Sequence, residues 1–379
     1  MRQSRWVVVL ALWALPAVAV GQTSQFGVRA LGIPGLPFST RSEGSAGAFG
    51  FFDGTSAINP ASLFAIDRPI ASMNVSQHWR SSHNPFGSAT GYDANFPLFI
   101  AGGRVSSRLS GAVSASIYTD RTFALASQDT IQLRGLPVVV DDTLISRGGL
   151  SDLRAAVAYR WRRVVVGLGV HLITGTNRIE YRRGFSDSTF IPINLRNELA
   201  ALATGVSAGV VFQPNDNLVL GATARMDSDL ATEKDTTKTG SIPLPRTLGV
   251  GAQWTVSQRL AVGGHLLTRS WSRGDEELKA RGGTGASNTT TAAIGLQLTR
   301  SLTAPSQLPL RLGVRWGGLP YPVVEGRETG KELGITMGTG FLMSGQRGGL
   351  DISVERIWRN EGVFTERAFV VRFGVTVRQ

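Results

Sequence analysis

The chain has 379 residues, a formal charge of +12, 46 glycines and no cysteine. Lacking cysteine, it has no disulfide framework, no thiolate metal site and no cysteine-linked lipid anchor. After the first twenty residues no stretch stays apolar for the ~20 residues that a membrane helix needs, whereas the surplus of glycine and the length suit one large closed β-barrel.

Residues 1–21 read as a signal peptide: Arg2 and Arg5, an apolar run from Trp6 to Leu15, then Pro16 and the small residues Ala17, Ala19 and Gly21. Cleavage is expected after Ala19 or Gly21. Loss of Arg2 and Arg5 leaves +10 on the mature chain, a surplus that suits nucleic acid or an anionic membrane. Export argues against nucleic acid, so outer-membrane lipid and lipopolysaccharide are the expected partners of rim arginines.

Residues 22–67 follow no strand pattern. They are rich in glycine, proline and small residues, and they include Phe38, Phe49, Phe51, Phe52 and Phe64. Phenylalanines are costly to leave in water, so this segment is expected inside the barrel as an N-terminal luminal plug.

From 68 to 379 the chain repeats one unit, about ten alternating residues followed by a turn. Val164, Val166, Leu168, Val170 and Leu172 share one face, with Gly167, Gly169 and His171 on the other. The template predicts strands near 70–79, 94–104, 109–119, 151–161, 163–175, 199–212, 217–226, 246–256, 259–270, 289–300, 309–317, 331–343, 349–358 and 367–378. Short and long connections alternate between them, as bacterial barrels require of their periplasmic turns and outer loops. The fold class expected is all-β, a transmembrane antiparallel β-barrel of about 14 strands.

Several segments carry a further signal. Gly44-Ser-Ala-Gly-Ala48 precedes Asp53-Gly-Thr-Ser-Ala-Ile-Asn59-Pro60-Ala61-Ser-Leu63, while Gly205-Val-Ser-Ala-Gly209 runs to Gln213-Pro214 and on to Gly221-Ala-Thr-Ala-Arg225. Leu244-Pro245 opens a glycine strand, and Ser270-Trp271-Ser272 closes the next. In order and spacing these resemble the FadL/TodX-type outer-membrane transporters of long-chain fatty acids and other hydrophobic compounds. The resemblance implies a fourteen-stranded barrel, a luminal hatch marked by Asp53, Asn59, Pro60 and Ala61, and passive uptake of a hydrophobic small molecule. The region Gly35-Leu-Pro37-Phe38 and the terminal Gln379 depart from the family pattern.

Gly205-Val-Ser207-Ala-Gly209 has the spacing of a nucleophile elbow, but it lies within an alternating strand rather than at a strand-to-helix turn, so no catalytic residue is assigned. Four scattered histidines predict no metal site, and no cofactor is expected. His78 and His83, at the start of an expected outer loop, read as solvated; His171 and His265 face the lumen. Gly326-Arg-Glu-Thr-Gly-Lys331 lacks the spacing and hydroxyl of a phosphate loop. Alternation also turns Arg154, Arg160, Arg225, Arg269, Arg311, Arg315 and Arg372 inward, either to attract an acid headgroup or to pair with Asp351, Glu355, Glu43, Asp53 and Asp67. Phe49, Phe51 and Phe52, with the histidines and arginines of the lumen, are the candidate ligand path. Pro97, Gly102 and Gly103 are expected to weaken the wall beside residues 106–111 and to open it sideways. The function expected is passive uptake across the outer membrane of a diderm bacterium by a monomer; the alternative is a non-transporting scaffold or shuttle in a secretion or assembly machinery.

Overall fold

The computed structural model describes residues 24–85, 87–234, 237–299, 308–343 and 347–379. The expected signal peptide, 1–21, lies outside the described residues, as do most of two short links, 301–307 and 344–346.

Alternation in the sequence becomes a wall with one wet face and one lipid face. Its strands are β1 (Ile70–Asn84), β2 (Gly87–Arg104), β3 (Leu109–Asp120, continued by Phe123–Leu133), β4 (Leu136–Trp161), β5 (Val164–Phe185), β6 (Ile193–Phe212) and β7 (Leu218–Asp227, continued by Leu230–Lys234). They are followed by β8 (Thr247–Thr255, preceded by Thr237–Ile242), β9 (Leu260–Arg269), β10 (Thr289–Leu298), β11 (Leu310–Gly318), β12 (Lys331–Met343), β13 (Gly348–Glu361) and β14 (Phe364–Arg378). Neighbours in sequence pair antiparallel, and β14 closes on β1 from Thr365 opposite His83 to Arg378 opposite Ile70. The result is a closed fourteen-stranded barrel. On β5, Leu168 and Val170 are 59% and 60% exposed, whereas His171 and Ile173 are buried. An apolar exterior on strands that pair in a ring is what hydrocarbon demands.

Several strands run beyond the lengths read from periodicity. β4 has 26 residues, against the ~9–11 that cross a bilayer. Part of the expected loop from Asp120 to Leu150 is a hairpin in which Phe123–Leu133 pairs with 136–146, turned by Arg134 and Gly135 at positive φ. The expected loop from Arg80 to Asp93 is instead paired strand up to Asn84 opposite Gly87. Above the membrane both faces of a strand meet water, so the apolar alternation that marks a strand within the bilayer fades there although the ladder continues.

Residues 24–67 lie against the inner wall. Their outer end is tied by Ser24 Oγ, which donates to the Glu366 carboxylate, and by Ile33 and Pro34, which pair with Asp120 and Thr119. The chain then forms α1 (Thr40–Glu43), capped by Ser39 Oγ, and the 3-10 turn Pro60–Ala65, capped by Asn59. Contact with the wall is close enough to require glycine. A Cβ on Gly209 would lie 1.9 Å from Asn59 Oδ1, and one on Gly313 would lie 2.3 Å from the Ser45 carbonyl carbon.

Candidate functional site: a filled lumen and an interrupted wall

The segment holds its own shape through Asp53. That carboxylate accepts from Ser39 Oγ, from Ser42 Oγ at 2.8 Å, and from the Thr55 amide and hydroxyl at 3.0 and 2.7 Å. Asn59 does the corresponding work against the wall: Nδ2 donates to the carbonyls of Phe51 and Val210 at 3.1 and 3.4 Å, while Oδ1 accepts from the Ala61 amide at 3.0 Å. Pro60 needs no donor at the first position of the turn, and Gly167 leaves room for the Ala61 backbone, whose nitrogen would lie 2.3 Å from a Cβ there. Arg154 Nη1 donates to the Ala57 carbonyl at 2.8 Å, which joins β4 to the same stretch.

The three phenylalanines differ in surroundings. Phe51 is fully buried; its ring lies on Gly249 and stacks on His265 with centroids 5.4 Å apart. Phe38 approaches His265 from another side at 5.3 Å. Phe49 and Phe52 instead line a cleft of about 420 Å³ with Arg41, Asp53, Arg311 and Arg378. Since β1 starts and β14 ends beside this cleft, it opens at the short-turn end of the barrel.

Ion pairs run through the lumen. Arg315 holds Glu355 at 2.7 Å and Glu43 of α1 at 3.2 Å; Arg372 holds Glu355 at 2.6 Å; Arg359 bridges Glu332 at 2.8 Å and Glu366 at 2.7 Å. Arg311 pairs with Asp351 at 2.8 Å, Arg225 with Asp152 at 2.5 Å and Asp227 at 2.9 Å. Arg269 donates to the Gly35 carbonyl at 3.0 Å, and Arg160 lies over the Phe64 ring. Glu332 belongs to the inward face of β12, but its partner Arg359, and Glu366 on the other side of that arginine, lie in strand that periodicity had assigned to a loop. Among the described residues Asp53 and Asp67 form no ion pair. His78, expected in solvent, faces inward with the other even-numbered residues of β1; Ser76 Oγ lies 3.1 Å from its Nε2 and Arg80 Nη2 3.2 Å from its Nδ1. His83 remains exposed beside Ser88.

A second cavity, of about 170 Å³, lies between residues 33–38 and the wall, with His78, Arg80, Asn95, Pro97 and Arg372 among its lining. The two cavities share no lining residue. Arg41 and Ser42 face the first and Glu43 the second, so α1 stands between them.

The wall beside the second cavity is interrupted. β2 pairs with β3 only from Leu98 opposite Ser116 to Arg104 opposite Ser110. From Gly87 to Pro97, β2 has β1 on one side and no ladder partner on the other among the described residues. The free edge of β3 is taken by Ile33 and Pro34, with Gly35 donating to the Tyr118 carbonyl at 2.9 Å. Pro97 sits at the break and beside a register shift between β1 and β2, as befits a residue without an N–H. The expectation for Gly102 and Gly103 requires correction. They pair with Ala112 and Gly111 in an unbroken ladder, and residues 109–111 open the paired part of β3. Their lack of side chains serves packing, since a Cβ on Gly102 would lie 2.3 Å from that of Ala112.

No family model and no curated protein matches this sequence. Among solved structures, a FadL homologue of Pseudomonas aeruginosa superposes with a TM-score of 0.61 at 13% identity, covering 91% of this chain and 99% of its own. The toluene transporter TbuX of Ralstonia pickettii gives 0.58 at 12% identity over 91% and 99% of the two chains. For the toluene transporter TodX of Pseudomonas putida the values are 0.55, 12%, 95% and 99%. The chain has the fold of the FadL-type channels. These neighbours are transport channels and not enzymes; at such identity they speak for the FadL-type fold alone.

Proposed function

We propose that this chain is an outer-membrane channel for passive uptake of hydrophobic or amphiphilic small molecules, with residues 22–67 acting as its hatch. The observation that carries the reading is the break beyond Leu98, which faces the cavity between residues 33–38 and the wall. A ligand entering from the outer mouth reaches that cavity and leaves sideways into lipid. Sideways exit spares it the transfer to periplasmic water, about 0.8 kcal/mol for each methylene. At about 170 Å³ the cavity is smaller than the ~300–1,000 Å³ of ordinary ligand pockets, so a long chain would occupy it only with its tail in the break. An acid headgroup such as that of a long-chain fatty acid suits the lining: Arg80 Nε and Arg372 Nη1 are buried without a hydrogen-bond partner.

Asn95→Trp, which fills the cavity at the break, should reduce cellular uptake of a labelled long-chain fatty acid about tenfold while heat-modifiable migration shows an intact barrel. Undiminished uptake in that folded variant removes the proposed exit. Arg372→Lys keeps the charge but loses the spare Nη1 donor, and should affect fatty acid more than toluene. A second reading, a scaffold or shuttle for a secretion or assembly machinery, is favoured by one observation: the sheet formed by the outer parts of β3 to β6 continues well past the lipid belt. Removal of residues 123–146 would leave uptake unchanged under the transport reading.

A further inference from the structure

On the inner face of β4, β5 and β6, three side chains from three strands form one hydrogen-bonded line. His171 Nδ1 lies 2.9 and 3.0 Å from the two Asp152 oxygens, and His171 Nε2 lies 2.9 Å from Ser207 Oγ. A carboxylate only accepts, so Nδ1 carries the ring proton and Nε2 is left to accept from the serine hydroxyl. This is the polarity of a nucleophile, its base and the acid that orients the base, which is recognised by geometry and not by position in the chain.

Two further observations separate the arrangement from ordinary pairing of buried polar groups. Arg225 stands directly opposite Ser207 across the β6–β7 ladder, and its Nη2 is buried without a hydrogen-bond partner, although Nη1 and Nε bind Asp152 and Asp227. Ser207, His171 and Arg225 also line a small cavity of about 40 Å³, closed by Pro37, Ala57 and Ile58. At roughly 10–15 Å³ for each water centre it holds about three or four waters, or an acetyl-sized group. The three acting side chains are nearly shut from solvent, with Ser207, His171 and Asp152 at 6%, 6% and 4% exposure.

We infer that Ser207, His171 and Asp152 form an esterase site for short acyl esters on the luminal wall. Ser207 Oγ forms a bond to the carbonyl carbon as its proton passes to His171 Nε2, and the carbonyl electron pair moves to oxygen beside Arg225 Nη2. Collapse breaks the ester C–O bond, and the departing alcohol takes the proton from Nε2. Water then repeats the route on acyl-Ser207, releasing the acid and restoring the hydroxyl. Asp152 touches no substrate and is a positioning residue. This inference is independent of transport, because its products are chemical and need no membrane.

The test uses the full chain purified in detergent, with a small alkyl fluorophosphonate as probe and p-nitrophenyl acetate as substrate. Peptide mass spectrometry should find the phosphonyl group on Ser207, and Ser207→Ala should lose both label and turnover. His171→Ala should slow labelling about a hundredfold or more, the usual weight of a general base. Asp152→Asn should slow it as well, and Asp152→Glu should restore part of the rate, which a merely structural acid would not do. Ile58→Ala widens the cavity, and should quicken labelling in a barrel whose heat-modifiable migration is unchanged. No label on Ser207 in either the native chain or the Ile58→Ala variant overturns the inference, as does turnover that survives Ser207→Ala.

Discussion

Arg315→Met removes the cation at the centre of the luminal ion network, and the distances show which partner suffers. Glu355 retains Arg372 at 2.6 Å and Glu332 retains Arg359 at 2.8 Å, but Glu43 keeps only Arg372, at 3.9 Å. The uncompensated charge is therefore on α1, and its relief is movement of the amino-terminal segment away from the wall. Deleting one partner of a buried pair costs about 3–5 kcal/mol, or about a hundredfold or more in the population of opened states. With no cysteine in the chain, Ser45→Cys supplies a single thiol at a fully buried position that touches Gly313. Its rate of alkylation reads the opening directly. Arg315→Met should raise that rate about a hundredfold, and adding Glu43→Gln, which removes the stranded charge, should bring it back to within about tenfold of the parent. If the single variant alkylates no faster than the parent, or the double no slower than the single, the network does not hold the segment.

Three further predictions follow from the close contacts. Gly209→Ala puts a methyl where Asn59 Oδ1 now sits at 1.9 Å from the Cβ position, so it should raise the same alkylation rate; in an Asn59→Ala background, where the clash is absent, its effect should be much smaller. Gly102→Val meets the Ala112 side chain inside an intact ladder and should destabilise the barrel by about 1–3 kcal/mol, visible as a lower temperature for the heat-modifiable shift, rather than close an opening. In the outer loop after β9, Lys279 and the Ala286 amide hold the Asp275 carboxyl below its ordinary value of 3.8. A lowered value means stabilisation that is complete above the ordinary value and is lost as pH falls through the lowered one. Exchange protection of the Ala286 amide should thus persist through pH 5 and vanish in stronger acid, and protection independent of pH would refute the contact.

Much of this molecule was legible in its sequence because side-chain direction along a strand is a local consequence of backbone geometry. Period-two alternation is enough to place Leu168 and Val170 in lipid, to turn Arg154, Arg225, Arg315 and Arg372 inward and to count fourteen strands. Alternation weakens where both faces are wet, which is why the outer reaches of β1, β4 and β13 escaped notice, and with them the inward Arg80 and Arg359. Partners across the lumen and between strands depend on register and closure, which no local pattern encodes. Asp152, His171 and Ser207 are separated by 19 and 36 residues, and only the shared ladder of β4, β5 and β6 brings them into one line. For the same reason the sequence could not show that the β2–β3 ladder ends at Leu98, next to Pro97, and runs unbroken through Gly102 and Gly103. Whether an edge is free is decided by what lies beside it, and there the edge of β3 is taken by Ile33 and Pro34.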